Sequence, residues 1–213
     1  LEGRRVVITV AISRGRLLNE AAGLLKRAGF SISGISNGSR KLIFEYPKEG
    51  IKILIIRPTD VPAYVEYGAA DCGIVGKDTL IEDKYDLYEP LDLQIGKCKL
   101  VIAARKGFDF SSTRILRVAT KYPKIAREYF AKKGISAEIV KLYGSVELAP
   151  IVGLSDVIVD LTATGETLRK NKLVAIETIA DITARFVVNR VSMKVKSNEI
   201  KELIRRLKEV REI

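Results

Sequence analysis

Short apolar runs alternating with amphipathic stretches are the feature that most restricts what this chain can become. Residues 5–12 read as a buried strand, after which Leu17, Ala21, Leu24, Leu25 and Ala28 fall on one face of a helix over 17–29. Residues 42–46 and 51–56 read as two strands parted by a Pro/Gly turn. A short helix over 61–67 with Asp60 as its N-cap follows, then a strand over 72–75 and another short helix capped by Asp78. A second series opens at 99–104. Strand 117–120 leads to helix 122–133, whose Pro123 lies in the first turn where a missing N–H does no harm. Strands over 137–141 and 156–161 come next, then a strand over 182–189 and a helix over 197–210 with Ile200, Leu203, Ile204, Leu207 and Val210 on one face. This alternation predicts an α/β fold. Two series of similar size predict two lobes with a central cleft, where small ligands bind. Lobe I is expected over residues 1–95 plus 182–213 and lobe II over 96–181, each boundary to within about six residues.

Composition removes several function classes. The chain has 213 residues, 47% of them hydrophobic, with six scattered prolines, so it can bury a sizeable core and is neither a disordered tail nor a collagen-like repeat. It has no histidine, which removes the commonest general base and the commonest metal ligand together. Cys72 and Cys98 lack CxxC spacing and histidine partners, so no zinc site is expected, and they read as reduced thiols. Apolar runs fall short of a membrane span, and residues 1–5 carry no signal-peptide pattern. A cytoplasmic protein is expected. A net charge of +11 points to an anionic partner, either nucleic acid or phosphorylated metabolites. Aromatic residues make up only 7%, few for base stacking, and no nucleic-acid motif is present, so no nucleic-acid partner is expected.

The most informative stretch is Ile158-Val159-Asp160-Leu161-Thr162-Ala163-Thr164-Gly165-Glu166-Thr167. An apolar strand delivers a carboxylate at its C-terminal end, and a loop of threonines and a glycine then opens a helix, the place where ligands bind in α/β folds. Helix-end amides attract phosphate, threonine hydroxyls add donors, and Gly165 permits close approach or positive φ. The loop lacks a lysine and the GxxxxGK[ST] pattern, so it is not a nucleotide P-loop. Asp160 is placed to hold ribose hydroxyls or a magnesium ion bound to them. A Thr-rich helix cap without a ligand is the plainer alternative. Glu166 is awkward for a phosphate cradle, and its carboxylate is expected to face away from the anion.

Ser13-Arg14-Gly15-Arg16, at the end of the first strand, offers guanidinium forks and helix-end amides to a polyphosphate. Ser39-Arg40-Lys41 and Arg57-Pro58-Thr59-Asp60 add cations at strand ends. Glu147, after Gly144-Ser145, is either a favourable charge in a first helical turn or a second carboxylate for a sugar.

Taken together, Ser13-Arg14-Gly15-Arg16-Leu17, Arg57-Pro58-Thr59-Asp60-Val61-Pro62, Gly68-Ala69-Ala70-Asp71-Cys72-Gly73 and Gly76-Lys77-Asp78 resemble the ATP phosphoribosyltransferase family, the first enzyme of histidine biosynthesis. Ala119-Thr120-Lys121-Tyr122-Pro123, Gly144-Ser145-Val146-Glu147-Leu148-Ala149-Pro150, Gly153-Leu154-Ser155-Asp156 and the loop over 160–168 extend the likeness across residues 6–193. The resemblance implies a two-lobed core similar to the type II periplasmic-binding-protein fold. It implies a magnesium-dependent reaction in which adenine N1 of ATP attacks the anomeric carbon of phosphoribosyl pyrophosphate and releases pyrophosphate. Carried over by motif, Thr162, Ala163, Thr164, Gly165, Glu166 and Thr167 bind the 5′-phosphate, and Glu147 and Asp160 the ribose hydroxyls. Arg14, Gly15 and Arg16 serve ATP, and Arg16, Arg40 and Arg57 are the catalytic cations. Magnesium is expected on substrate phosphates, with no metal ligand assigned to the protein. One helix after Met193 resembles the family's short form, which implies a homodimer unit within a hetero-oligomer containing a histidyl-tRNA-synthetase-like regulatory subunit. A two-lobed binding module without chemistry is the alternative from another class.

Overall fold

The computed structural model describes residues 6–110 and 115–211. Residues 1–5, where the first strand was expected to begin and a signal peptide was sought, lie outside the described residues. The strands are β1 (Ile8–Ser13), β2 (Ile43–Tyr46), β3 (Ile51–Ile56), β4 (Cys72–Gly76), β5 (Tyr88–Asp92), β6 (Cys98–Arg105), β7 (Leu116–Thr120), β8 (Ala137–Lys141), β9 (Val157–Thr162), β10 (Leu173–Ile182) and β11 (Ala184–Val188). The helices are α1 (Arg16–Arg27), α2 (Val61–Glu66), α3 (Lys77–Glu82), α4 (Pro123–Lys132), α5 (Glu166–Lys170), α6 (Arg190–Val195) and α7 (Ser197–Arg211). No helix among the described residues is long and apolar enough to cross a membrane.

The chain divides into two compact units. Unit 1 takes Leu1–Leu80, Lys84–Gly96 and Thr183–Ile213, and unit 2 takes Ile81–Asp83 and Lys97–Ile182. Each is built on one twisted sheet. In unit 1 the strand order is β2-β3-β1-β4-β11-β5, with β1 parallel to both β3 and β4. Val10, Ile12, Ile53 and Phe186 pack on one face with Leu18, Leu24 and Leu25 of α1 and Leu203 and Leu207 of α7. Ala11, Val75 and Val187 meet Val61 and Val65 of α2 on the other. Strands buried on both faces read as near-continuous apolar runs, which is why β1 stands out in the sequence, whereas β3 alternates buried positions with the partly buried Lys52, Leu54 and Ile56.

In unit 2 the order is β10-β6-β9-β7-β8, with β7 parallel to β8 and β9 and β6 antiparallel to its neighbours. Leu100, Ile102, Val118, Val157 and Val159 pack beneath Ile125, Ala126 and Phe130 of α4. Val101, Ala103, Ala119 and Ile158 are covered by Val146 and Ala149 of a short turn and by Leu168 of α5. Pro123 occupies the first position of α4, and the next two amides, of Lys124 and Ile125, donate to the Glu82 carboxylate at 2.9 and 3.0 Å. A side chain from outside the helix thus meets donors that a helix start always leaves open.

Two expected caps differ. Asp60 precedes α2 but makes no side-chain cap bond, and it is bonded instead by the Thr59 hydroxyl at 3.0 Å. Asp78 lies inside the first turn of α3, not before it, and its carboxylate fills the space where a Gly76 side chain would stand. The strand expected over 182–189 is broken at Thr183, where β10 ends and β11 begins. Strands β5 and β10 and helix α6 were not anticipated.

A buried carboxylate ties unit 1 together. Asp71, 7% exposed, accepts from the Thr9 amide, the Ser192 hydroxyl and the Lys196 ammonium, each at 2.8 Å. It therefore joins β1 to the α6–α7 corner. Burial pushes the neighbouring Cys72 thiol well above its ordinary value, the Asp71 charge adds to this, and Lys196 opposes it. Asp71→Ala strands a partly buried ammonium and two donors, so it is expected to lower stability by about 3 kcal/mol in urea unfolding at unchanged m.

In unit 2, Arg117 grips Asp156 through its backbone amide at 2.8 Å and its guanidinium at 2.9 Å, fixing the start of β9 against β7. The Arg117 hydrogen bond holds the Asp156 carboxyl below its ordinary value of 3.8. Because the folded value is lowered, the contribution is complete above the ordinary value and is lost as pH falls through the lowered one. The stability gap between the parent chain and Asp156→Asn is therefore expected to be constant near neutrality and to close below about pH 4, as followed by thermal unfolding.

Candidate active site

The unit 2 elements converge at the C-terminal ends of three parallel strands, where open α/β sheets bind ligands. β9 emerges from the core through Asp160, which is half-buried and accepts from the Leu161 amide at 2.9 Å. The loop beyond it is closed by its own hydroxyls. Thr162 Oγ1 accepts from the Gly165 amide at 3.0 Å, and Thr164 Oγ1 from the Glu166 amide at 3.4 Å. Gly165 is left-handed, with φ 73° and ψ 5°. Ala163, Thr164, Glu166 and Thr167 are exposed, and the amides of Ala163, Thr164 and Thr167 carry no hydrogen bond among the described residues. The loop is thus an exposed, preshaped donor surface. Glu166 turns along α5 and pairs with Lys170 at 2.9 Å.

Glu147 sits in a single 3-10 turn, Val146–Leu148, entered through Ser145 at φ 49°. Val146 and Ala149 anchor this turn in the apolar cluster that also holds Ile158 and Leu168. The residues flanking Glu147 and the loop over 160–167 therefore rest on the same sheet face. Glu147 is half-buried as a residue, and its carboxylate has no partner among the described residues.

In unit 1 the cations gather where β1 and β3 end. The Arg14 amide donates to Ile56 O at 2.8 Å, and its guanidinium reaches Ser39 O at 3.4 Å. Gly15, at φ 99°, is held from both sides by one side chain: its amide donates to Asn37 Oδ1 and its carbonyl accepts from Asn37 Nδ2, each at 2.8 Å. Sequence reasoning missed Asn37. Its only signal was the Ser36-Asn37-Gly38 turn, and nothing in the chain points from there to Gly15. Arg16 is engaged, donating to Gly96 O at 3.0 Å with Glu20 4.0 Å away. Arg40 and Arg57 are exposed and without a partner among the described residues. The candidates thus fall into two groups, with Arg14, Gly15, Arg16, Arg40 and Arg57 on unit 1 and Glu147 and the loop over 160–167 on unit 2.

No group of three or more Asp, Glu or Cys among the described residues is placed to hold a metal ion. Asp160 and Glu147 nonetheless suit an ion carried mainly by substrate phosphates, since magnesium commonly takes only one or two carboxylates.

The fold defines a class first. The chain matches the probable amino-acid ABC transporter extracellular-binding protein of Bacillus subtilis at TM-score 0.57 over 96% of this chain and 95% of that one, with 12% identity, a likeness of fold alone. The architecture is that of the two-lobed α/β binding proteins. A family model described as "HisG: ATP phosphoribosyltransferase" matches residues 57–209. The ATP phosphoribosyltransferase of Geobacter metallireducens is 54% identical over 201 residues, covering 92% of this chain and 95% of that protein. That of Caldanaerobacter subterraneus is 52% identical, covering 96% and 97%. The ATP phosphoribosyl transferase (HisG:HisZ) complex from Thermotoga maritima matches at TM-score 0.83 and 36% identity, over 97% of this chain and 99% of that one. The chain belongs to the ATP phosphoribosyltransferase family. It transfers the phosphoribosyl group of phosphoribosyl pyrophosphate to ATP, the first step of histidine biosynthesis.

Adding a side chain at Gly165 meets nothing within 4 Å, so a substitution there strains φ without a clash. Gly165→Val is expected to keep the fold and to weaken phosphoribosyl pyrophosphate binding at least about tenfold, because a β-branched residue resists positive φ. Calorimetric titration beside a melting curve checks both.

Proposed function

We propose that unit 2 holds the phosphoribosyl pyrophosphate and unit 1 the ATP. The exposed loop over 160–167 takes the 5′-phosphate on the amides of Ala163, Thr164 and Thr167 and on the threonine hydroxyls, assisted by the helix end. Asp160 and Glu147 take the ribose hydroxyls. The observation that carries this reading is the exposed loop whose Ala163, Thr164 and Thr167 amides are left without a hydrogen bond among the described residues, beside a turn that places Glu147 on the same apolar anchor. Arg14 serves the polyphosphate of ATP, with Gly15, held by Asn37, leaving room for its close approach and Arg16 fixed beside them, and Arg40 and Arg57 neutralise the departing pyrophosphate.

The chemistry suits a chain without histidine. Adenine N1 carries a free lone pair, so its attack on the anomeric carbon needs no general base. The barrier lies in charge that builds on pyrophosphate as the sugar becomes oxocarbenium-like, and cations act on that charge. A magnesium ion carried on the substrate phosphates would supply further positive charge, with Asp160 a residue that could help hold it. The proposal extends to assembly: a homodimer joined by a histidyl-tRNA-synthetase-like regulatory subunit, as the two-component Thermotoga maritima complex supports. It extends also to a cytosolic location, in keeping with Cys72 and Cys98 standing as reduced thiols.

The test mixes the chain with ATP, phosphoribosyl pyrophosphate and magnesium, with and without a regulatory subunit, and follows pyrophosphate release. Glu147→Gln is expected to raise KM for phosphoribosyl pyrophosphate and leave that for ATP unchanged. Arg40→Ala is expected to lower kcat about 10²-fold with little change in either KM. A Glu147→Gln enzyme with normal KM values would sink the ribose assignment.

A further inference from the structure

Thr120 ends β7 with its side chain wholly buried, on the strand that carries the buried Val118 and Ala119 and beside the buried Ile158 and Val159 of β9. Packing alone would be met by valine, which has the same shape. A buried hydroxyl costs free energy unless its hydrogen bonds are made. Here both are. Thr120 Oγ1 donates to Val159 O at 2.7 Å and accepts from the Tyr122 amide at 2.8 Å. The Thr120 carbonyl also accepts from the Leu142 amide at 2.9 Å. One residue thus joins the ends of β7, β8 and β9 at the level where each chain leaves the core. The Val159 carbonyl belongs to the peptide that links Val159 to Asp160, so this bond restrains, from the β7 side, a peptide that β6 pairs on the other and from which the Asp160 side chain departs. The Leu142 contact fixes the path into Tyr143-Gly144-Ser145 and on to Glu147.

We propose that Thr120 is a positioning residue for the ribose end of phosphoribosyl pyrophosphate, its hydroxyl fixing the peptide that carries Asp160. The inference rests on the reading of Asp160 as a ribose ligand. Thr120 itself touches no substrate. It acts by holding a carboxylate whose hydrogen bonds to two adjacent hydroxyls tolerate little displacement.

The experiment is a double-mutant cycle on the full chain, read as magnesium–phosphoribosyl pyrophosphate affinity by calorimetry, with ATP affinity and melting temperature measured in parallel. Thr120→Val is expected to weaken phosphoribosyl pyrophosphate binding about tenfold, since small misplacements of a site group have large effects. ATP affinity should move less than about twofold, and Thr120→Ser, which keeps both bonds, should bind within about twofold of the parent. Combined with Asp160→Asn, Thr120→Val should add almost nothing, because residues acting through one another are not additive. Should Thr120→Val fail to fold, Thr120→Cys, a weaker donor of similar volume, should give an intermediate loss. A Thr120→Val or Thr120→Cys chain that melts lower but binds phosphoribosyl pyrophosphate normally would overturn the inference. So would equal losses for both substrates, or full additivity with Asp160→Asn. If Asp160→Asn alone binds normally, the failure belongs to the ribose assignment on which the inference rests.

Discussion

Parallel pairing of β7 with β8 and β9 is the constraint on which the candidate site depends. Parallel strands need crossovers, and crossovers bring every C-terminal end to the same edge of the sheet. At that edge the backbone leaves its ladder and must find other partners. The chain answers with side chains: Thr120 for the Val159 carbonyl and the Tyr122 amide, Thr162 for the Gly165 amide, Thr164 for the Glu166 amide. The same geometry recurs in unit 1, where β1 lies parallel to β3 and β4 and Asn37 meets both backbone groups of Gly15.

Charge is distributed in accord with that division. Several cations are spent on structure: Lys196 on Asp71, Arg117 on Asp156, Lys77 on Glu89. Others, Arg40 and Arg57 among them, stand exposed at strand ends without a partner among the described residues. A net charge of +11 therefore says less about the chemistry than the places where the positive charge is left uncompensated. A reaction between two polyanions needs such places, and it needs no proton acceptor of neutral pKa.

Much of the fold was legible because β1, β6, β7 and β9 carry buried residues on both faces and so form dense apolar runs, while β3 shows the two-residue alternation of a strand buried on one face. Strand β10 was not, although it is ten residues long. It is an edge strand with Val174, Ala175 and Ile176 exposed, and irregularities in its pairing with β6 break the two-residue period. Strand β5 has three exposed residues at its start and a proline among them, a pattern that resembles a loop. The loop over 160–167 could be singled out because a strand, a carboxylate, small hydroxyl residues and a glycine stand together in sequence. The grip of Asn37 on Gly15 and that of Glu82 on α4 could not, since each joins segments whose proximity only the fold decides.

The threonines of the loop explain how the exposed turn proposed as an anion cradle keeps its shape. Without Thr162 Oγ1 and Thr164 Oγ1, the amides at the start of α5 would face only water, and a five-residue helix has little cooperativity of its own. With them, the left-handed turn at Gly165 is fixed before any phosphate arrives, so less ordering entropy opposes binding. A hydroxyl that accepts from an amide through one lone pair retains its proton for another acceptor. Thr162 and Thr164 can therefore hold the turn and donate to a phosphate oxygen at once. On the proposed reading, shape and recognition in this loop rest on the same oxygen atoms, whereas a P-loop divides those duties between glycines and a lysine.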